Sequence, residues 1–460
     1  MKSIKMRLAA MYFLEFAVWG AYLTSLGAYL SKVGLSGNIG WFYAVQGIVS
    51  LCMPALIGII ADRWIPAQKM LSLCHLVAGG FMVSAGLYGL SVDEPDFATL
   101  FFLYTVSVAF FMPTIGLSNS VGYTALRKAG LDTVKNFPPI RIWGTVGFII
   151  AMLFVNFTGY QNTSAQMVVS GILSGVLMIY ALTMPNCPTN RDAAPKSVID
   201  ALGLRAFTLF KDPQMAIFFI FSMLLGVALQ ITNGFANPFI QAFGSIDIYK
   251  GAWGVDNANA LISLSQISET FCILLIPFFM KRYGIKTVML MAMFAWVLRF
   301  GLFGLGNPNM PGVLLFILSM IVYGIAFDFF NVSGSLYVDS RTDKNIRSSA
   351  QGLFMMMTNG VGATIGTLAA QAIIDHYVFS KPAGLEQIKG WETSWFIFAG
   401  YALVVAIRKP GRQRPPMKMT LTPKVWLRHD SLLCSRYCRN SPSAGERFGP
   451  LCACPAYAPG

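Results

Sequence analysis

The chain has 460 residues, of which 55% are hydrophobic and only 12% charged, with a formal net charge of +14. Soluble domains carry about 25% charged residues, so this composition excludes an ordinary soluble enzyme and points to a protein that crosses a membrane many times. A pass through hydrocarbon takes about 20 mostly apolar residues, and twelve such runs are read near 8–31, 39–60, 70–91, 98–121, 138–158, 164–184, 214–240, 258–280, 286–306, 311–336, 348–374 and 391–407.

The first seven residues are basic and lead into apolar sequence, as in a signal peptide. The run is too long for one, lacks a small-residue cleavage site and contains Glu15, so it is read as the first pass. With an even number of passes both termini share one side. Arg63, Lys69, Arg127, Lys128, Lys135, Lys211, Lys281, Arg282 and Arg341 fall on the side of Lys2, Lys5 and Arg7, whereas the other side has Lys32, Lys250, Lys381 and Lys389. That bias places both termini in the cytoplasm. Topology and a basic tail then account for the charge, and no nucleic-acid partner is expected. Cys52, Cys74, Cys187 and Cys272 suggest no disulfide framework.

The second pass ends in GIIADRW, where Gly58 would permit close helix approach and Asp62 with Arg63 forms a charged hairpin. A polar, proline-bearing stretch over 186–213 divides the chain into six-pass halves, 1–185 and 214–407. Within it, Val198 to Leu209 has the spacing of a helix lying along the membrane surface. A faint repeat supports the division: eight positions before Pro54 stands Gln46, and eight before Pro277 stands Glu269.

Polar residues inside the passes mark the candidate site. The fifth pass opens FPPIRIWGTVGF, with Pro138 and Pro139 suited to a helix start and Arg141, Thr145 and Phe148 on one face. Arg141 either faces a cavity or snorkels to the surface. In the seventh pass Gln230 and Asn233 share a face, and their amides match a nucleobase edge or sugar hydroxyls; they suit interhelical hydrogen bonding equally well. The eighth pass carries Gln266 and Glu269, three apart and therefore pointing the same way. An ionisable residue at this depth costs at least about 2 kcal/mol and marks a pathway by default. In the tenth pass Tyr323 and Phe327 lie one turn apart, able to stack on a flat ring or simply to pack, and Asp328 adds a second deep carboxyl. Glu15, Glu269 and Asp328 are thus the candidate proton carriers, with Arg299 of the ninth pass a structural partner for one of them.

The segments FPPIRIWGTVGFI, AIFFIFSMLLGVALQITN, SQISET, RYGIK, SMIVYGIAFDFFN and SAQGLFMMMTNG, in order across residues 1–407, closely resemble the nucleoside:proton symporters of the major facilitator superfamily, the bacterial nucleoside permeases. The resemblance implies an all-α membrane protein with twelve transmembrane helices in two six-helix halves around a central cavity. It implies proton-driven uptake of purine and pyrimidine nucleosides by alternating access. Its substrate contacts fall on Arg141, Thr145, Phe148, Gln230, Asn233, Gln266, Glu269, Tyr323 and Phe327, with Glu269 and Asp328 assigned to proton coupling. A monomer in the bacterial inner membrane is expected, with the proton gradient as driving force and no cofactor or metal.

The resemblance stops near Ala406. Ser394 to Ile407 alone gives about 21 Å of helix, short of a bilayer core of about 30 Å, so the last helix reads as truncated. Residues 408–460 are basic and rich in Pro, Ser and Cys, and they read as a disordered tail. The spacing of Cys434, Cys438, Cys452 and Cys454 does not suit zinc. Alternatives are a sugar or polyol symporter, whose hydroxyls the same side chains would suit, and a sensor that binds without transporting. A membrane enzyme is disfavoured: the histidines are His75, near a span end, His376 and His429, and no nucleophile motif or phosphate loop is present.

Overall fold

The computed structural model describes residues 2–189, 204–342 and 347–407; the expected tail and most of the central linker lie outside them. In chain order the helices are α1 Lys2–Gly20, α2 Leu26–Lys32, α3 Ile39–Arg63, α4 Ala67–Ser91, α5 Phe97–Lys128, α6 Thr133–Phe157 and α7 Ala165–Leu182. After the linker come α8 Pro213–Leu229, α9 Ile231–Ala242, α10 Ala258–Leu305, α11 Val313–Arg341, α12 Arg347–Met355, α13 Ala363–Ile374 and α14 Leu385–Ile407. Wider π-turns over Met356–Gly362 and Asp375–Phe379 follow α12 and α13.

Local chemistry sets several helix starts. Asp96 caps α5 by accepting from the Thr99 N–H at 2.9 Å, and the bonds from Thr99 hold its carboxyl below the usual carboxylate range. Asp212 caps α8 at 2.9 Å from the Gln214 N–H, with Pro213 in the first turn where its missing donor is harmless. Of the expected surface helix at 198–209 only the end is described, as a tight 3-10 run over Leu204–Lys211. Pro138 and Pro139 are not at a helix start: α6 begins at Thr133 and carries both prolines inside it.

Among the described residues ten helices are long and apolar enough to cross a membrane. One of them, α10, has 48 residues, about 72 Å and more than twice the hydrocarbon thickness. It breaks at Gly284, whose φ of 76° and ψ of 164° suit glycine alone, between the expected passes at 258–280 and 286–306. The first expected pass is built from α1 and α2, interrupted over 21–25. The seventh is interrupted in the same way at Gln230, between α8 and α9. The two breaks thus fall at corresponding positions of the two halves.

The last helix is longer than expected. It starts at Leu385 and runs 23 residues, about 34 Å. Ile388, Trp391 and Trp395 are buried, and Phe239 of α9 packs on both tryptophans at ring separations of 5.6 and 5.4 Å. These aromatic contacts recruit residues that look interfacial in sequence alone.

Packing pairs α1 with α6, α4 with α5 and α7, and α10 with α11 and α14. A Cβ at Gly58 would meet no atom within 4 Å, so the expected close approach is not there; the side chains of Asp62 and Arg63 lie outside the description. Close approach occurs at Gly27 of α2, where a Cβ would overlap the Gly234 carbonyl oxygen of α9.

Gly27 and Gly234 belong to a seam that joins the halves at the end opposite the start of α1. Thr24 Oγ1 donates to Asn259 Oδ1 at 2.6 Å, Asn156 Nδ2 to Asn257 Oδ1 at 2.8 Å, and Gln161 Nε2 to the Asp256 carbonyl at 2.7 Å. Across the bundle the Gly40 N–H donates to Gln371 Oε1 at 2.6 Å, and Gln371 Nε2 donates to the Ser36 carbonyl at 2.9 Å. At this end, therefore, the two halves are held together by direct hydrogen bonds.

Candidate functional site

Arg141 and Glu269 stand on α6 and α10, helices of opposite halves that pack against each other. Arg141 rises from α6, its guanidinium seated 3.8 Å from the centroid of the Phe16 ring and 6.0 Å from that of Tyr12. Cation–π contact of this kind stabilises a desolvated cation by about 2 kcal/mol, and Gly144 leaves room for it, since a Cβ there would crowd both Phe16 and Arg141. Glu269 is half-buried on α10, the helix that packs against α6 from the other half. An arginine is a fixed cation, whereas a carboxyl can gain or lose a proton.

Behind Glu269 lies Asp328 on α11. It is 4% exposed and its Oδ2 finds no hydrogen-bond partner. A buried carboxylate oxygen without a donor is costly, and protonation would relieve it.

Tyr323 and Phe327 stack on each other, ring centroids 5.6 Å apart and planes within 7°. Tyr323 is buried, with the Arg299 guanidinium 4.4 Å from its centroid and Trp296 edge-on at 6.1 Å. Its hydroxyl is within hydrogen-bonding reach of Gln266 and close to the Glu269 charge. Phe327 is half-buried and lines a small cavity with Trp296, Asn331 and Thr358. Tyr323 is therefore a packed, oriented element, whereas Phe327 has surface to offer.

The remaining expected residues have other partners. Asn233 donates from Nδ2 to Gln230 Oε1 at 2.7 Å, directly at the α8–α9 break. Phe148 packs edge-on against Trp19 at 6.3 Å, and Thr145 is half-buried one turn before it. Arg299 is not the partner of a carboxyl: it donates to the Ser319 carbonyl at 2.9 Å and to Ser265 at 3.4 Å, and stacks on Tyr323. His75 is not at a span end but fully buried within α4, 3.0 Å from Glu15.

Sequence reasoning misses the rings of Tyr12, Phe16 and Trp19, because aromatic residues in an apolar run carry no mark of which face they occupy. It also misses the seam amides Asn156, Gln161, Asn257, Asn259 and Gln371. Their signal is a cluster of Asn and Gln at the pass ends, most visible in DNAN at 256–259.

The family described as nucleoside H+ symporter matches residues 1–409. The chain is 47% identical over 407 residues to the xanthosine permease of Escherichia coli strain K12, covering 88% of this chain and 94% of that one. It is 44% identical over 406 residues to the nucleoside permease NupG of the same strain, with the same coverage. A crystal structure of the nucleoside transporter NupG superimposes with a TM-score of 0.79 at 44% identity, covering 88% of this chain and 97% of that chain. With a likeness this continuous, and carboxyls placed inside the membrane, this chain belongs to the nucleoside H+ symporter family and couples nucleoside transport to protons.

Proposed function

We propose that the chain carries purine and pyrimidine nucleosides into the cell with protons, across a bacterial inner membrane, by alternating access, with both termini in the cytoplasm. The observation that carries this reading is the buried, partnerless carboxyl oxygen of Asp328 in one half, with Arg141 seated on the Phe16 ring in the other and the helices of Arg141 and Glu269 packed together. Phe327 would stack on the base while Gln230, Asn233 and Gln266 read its edge, and Arg141 with Glu269 would hold the ribose hydroxyls. Thr145 and Phe148 would close the opposite wall, and Tyr323 would orient Gln266. The proton removes one of the two negative charges that Glu269 and Asp328 would carry, so substrate and proton load together before the halves rock. The protein acts as a monomer, without cofactor or metal, and catalyses no chemical conversion.

Radiolabelled uridine uptake into cells lacking their own nucleoside carriers tests the reading. Uptake abolished by a protonophore and competed by adenosine supports it. Competition by disaccharides in place of nucleosides would replace it with a sugar symporter.

The stacking role makes a separate prediction. Base–aromatic stacking is worth about 1–3 kcal/mol, so Phe327→Ala should raise KM for uridine about tenfold and leave kcat within about twofold. Phe327→Tyr, which keeps the ring, should stay near the parent. An unchanged KM in the alanine variant would remove Phe327 from the base site.

A further inference from the structure

The mechanism above leaves one buried carboxyl unused. Glu15 on α1 and His75 on α4 are both fully buried, with His75 Nε2 3.0 Å from Glu15 Oε2. The other carboxyl oxygen, Oε1, lies 2.5 Å from the Thr114 hydroxyl of α5, which shares its one hydrogen between Oε1 and the Phe111 carbonyl at 2.6 Å. The other ring nitrogen, Nδ1, lies 2.8 Å from Ser174 Oγ of α7, and that hydroxyl donates to the His75 carbonyl at 3.1 Å. Four helices of the first half therefore converge on one closed polar unit.

Its proton content follows from these bonds. Ser174 has a single hydroxyl hydrogen; when it goes to the His75 carbonyl, Nδ1 carries a hydrogen and donates to Ser174. Nε2 and Oε2 then hold one proton between them, as imidazolium with carboxylate or as imidazole with carboxylic acid. Both forms are neutral overall. Without that proton two acceptors face each other at 3.0 Å and a net negative charge sits in the membrane interior. The unit thus has two states that differ by one proton and one charge.

The groups that face it are few. Tyr12 on α1, Cys74 on α4 and Arg141 on α6 feel the Glu15 charge, while α5 and α7 present the hydroxyls of Thr114 and Ser174. The Tyr12 hydroxyl donates to the Ser118 carbonyl and Asn119 Oδ1. Arg141 is the cation in this set, and its helix packs against that of Glu269. An apolar pair of equal volume would pack the four helices without the cost of burying ionisable groups.

We infer that Glu15 and His75 form a second proton-holding station, in the first half of the carrier, that positions Arg141. The inference rests on the symporter reading above. While the station holds its proton, Arg141 faces Glu269 across the halves. When the proton passes to water as the half opens, the exposed Glu15 charge draws Arg141 back toward α1 and releases Glu269. No bond other than that to the transferred proton changes.

The test is proton-driven uridine uptake by the full chain and by Glu15→Gln, measured across pH. A glutamine keeps both hydrogen bonds, accepting from Thr114 and donating to Nε2, but holds no exchangeable charge. Its pH profile should shift by about one unit, a tenfold change in proton activity, with uridine binding by the purified protein within about twofold of the parent. His75→Gln, whose amide still donates to Glu15, should shift likewise. A profile that superimposes on the parent in either variant that binds uridine would reduce the pair to a structural strut. On the parent itself, the sequence has 3 histidines, so imidazole nitrogen NMR can read His75. The Nε2 signal should titrate in step with uptake while Nδ1 stays protonated, and a signal flat across that range overturns the proposal. Absence of any proton-dependent uptake by the parent would instead remove the symporter reading.

Discussion

Replacing Gly27 with valine is expected to cut nucleoside uptake on the order of a hundredfold while leaving a folded protein in the membrane. A Cβ on Gly27 would overlap the carbonyl oxygen of Gly234 and come within 3.2 Å of Pro238 Cγ. Backbone cannot yield as a flexible side chain can, so the halves must separate at this seam. Overpacking of this kind costs about 1–3 kcal/mol, and each 1.4 kcal/mol is about tenfold in an equilibrium. The penalty falls on the closed state alone, because the state open at this end draws α2 and α9 apart. The carrier should therefore bind nucleoside from the open side and fail to release it on the other. Gly58→Val is the control, since a Cβ there meets nothing within 4 Å. Surface expression, uridine binding and initial uptake rate distinguish the cases; parent-like uptake by the Gly27 variant would show that this seam does not close during transport.

Glu269→Gln and Asp328→Asn should abolish accumulation without abolishing movement. An inward gradient of two pH units supplies about 2.7 kcal/mol per proton, enough for about a hundredfold concentration of nucleoside at one proton per substrate. Either amide removes a titrating carboxyl, and Asp328→Asn also gives the partnerless Oδ2 position an atom that can be a donor. The internal to external nucleoside ratio should fall to about one. Exchange of labelled for unlabelled uridine across the membrane should persist. If both variants still concentrate uridine against a gradient, the moving proton lies elsewhere, and Glu15 with His75 becomes the place to look.

Much of the architecture is legible from apolar runs, because a membrane demands helices of fixed minimum length. What runs cannot show is where a helix is interrupted. The breaks at 21–25 and at Gln230, like the π-turns at Met356–Gly362, depend on close backbone packing between halves and leave no mark on hydropathy. Pro138 and Pro139 mislead for a related reason: proline at a helix start is favoured, yet here α6 extends one turn further back to Thr133. The last helix was measured from its apolar residues alone, whereas buried tryptophans carry it back to Leu385.

The site divides along similar lines. Residues with charge or amides inside passes, such as Arg141, Glu269, Asp328 and Gln230, announce themselves by their cost. Their partners do not, since Phe16 beneath Arg141 and Trp296 beside Tyr323 look like any core aromatic. Arg299 shows the converse: a buried cation read as a carboxyl's partner is held by a carbonyl, a hydroxyl and a ring, with its Nε left without a partner.

The seam that joins the halves is made of asparagine, glutamine, threonine and backbone, from Thr24 and Asn259 to Gly40 and Gln371. These bonds between the halves are neutral, so dissolved salt does not screen them, but a carboxyl stands directly behind one of them: Gln371 Nε2 also donates to Asp375 Oδ1 at 2.6 Å, and that oxygen would lie 3.9 Å from a Cβ at Gly37. Among the described residues the seam thus joins a grip indifferent to salt with a single acid-sensitive point, the carboxyl of Asp375 behind Gln371. Protonating that carboxyl would take away one acceptor of the Gln371 amide that also holds Ser36.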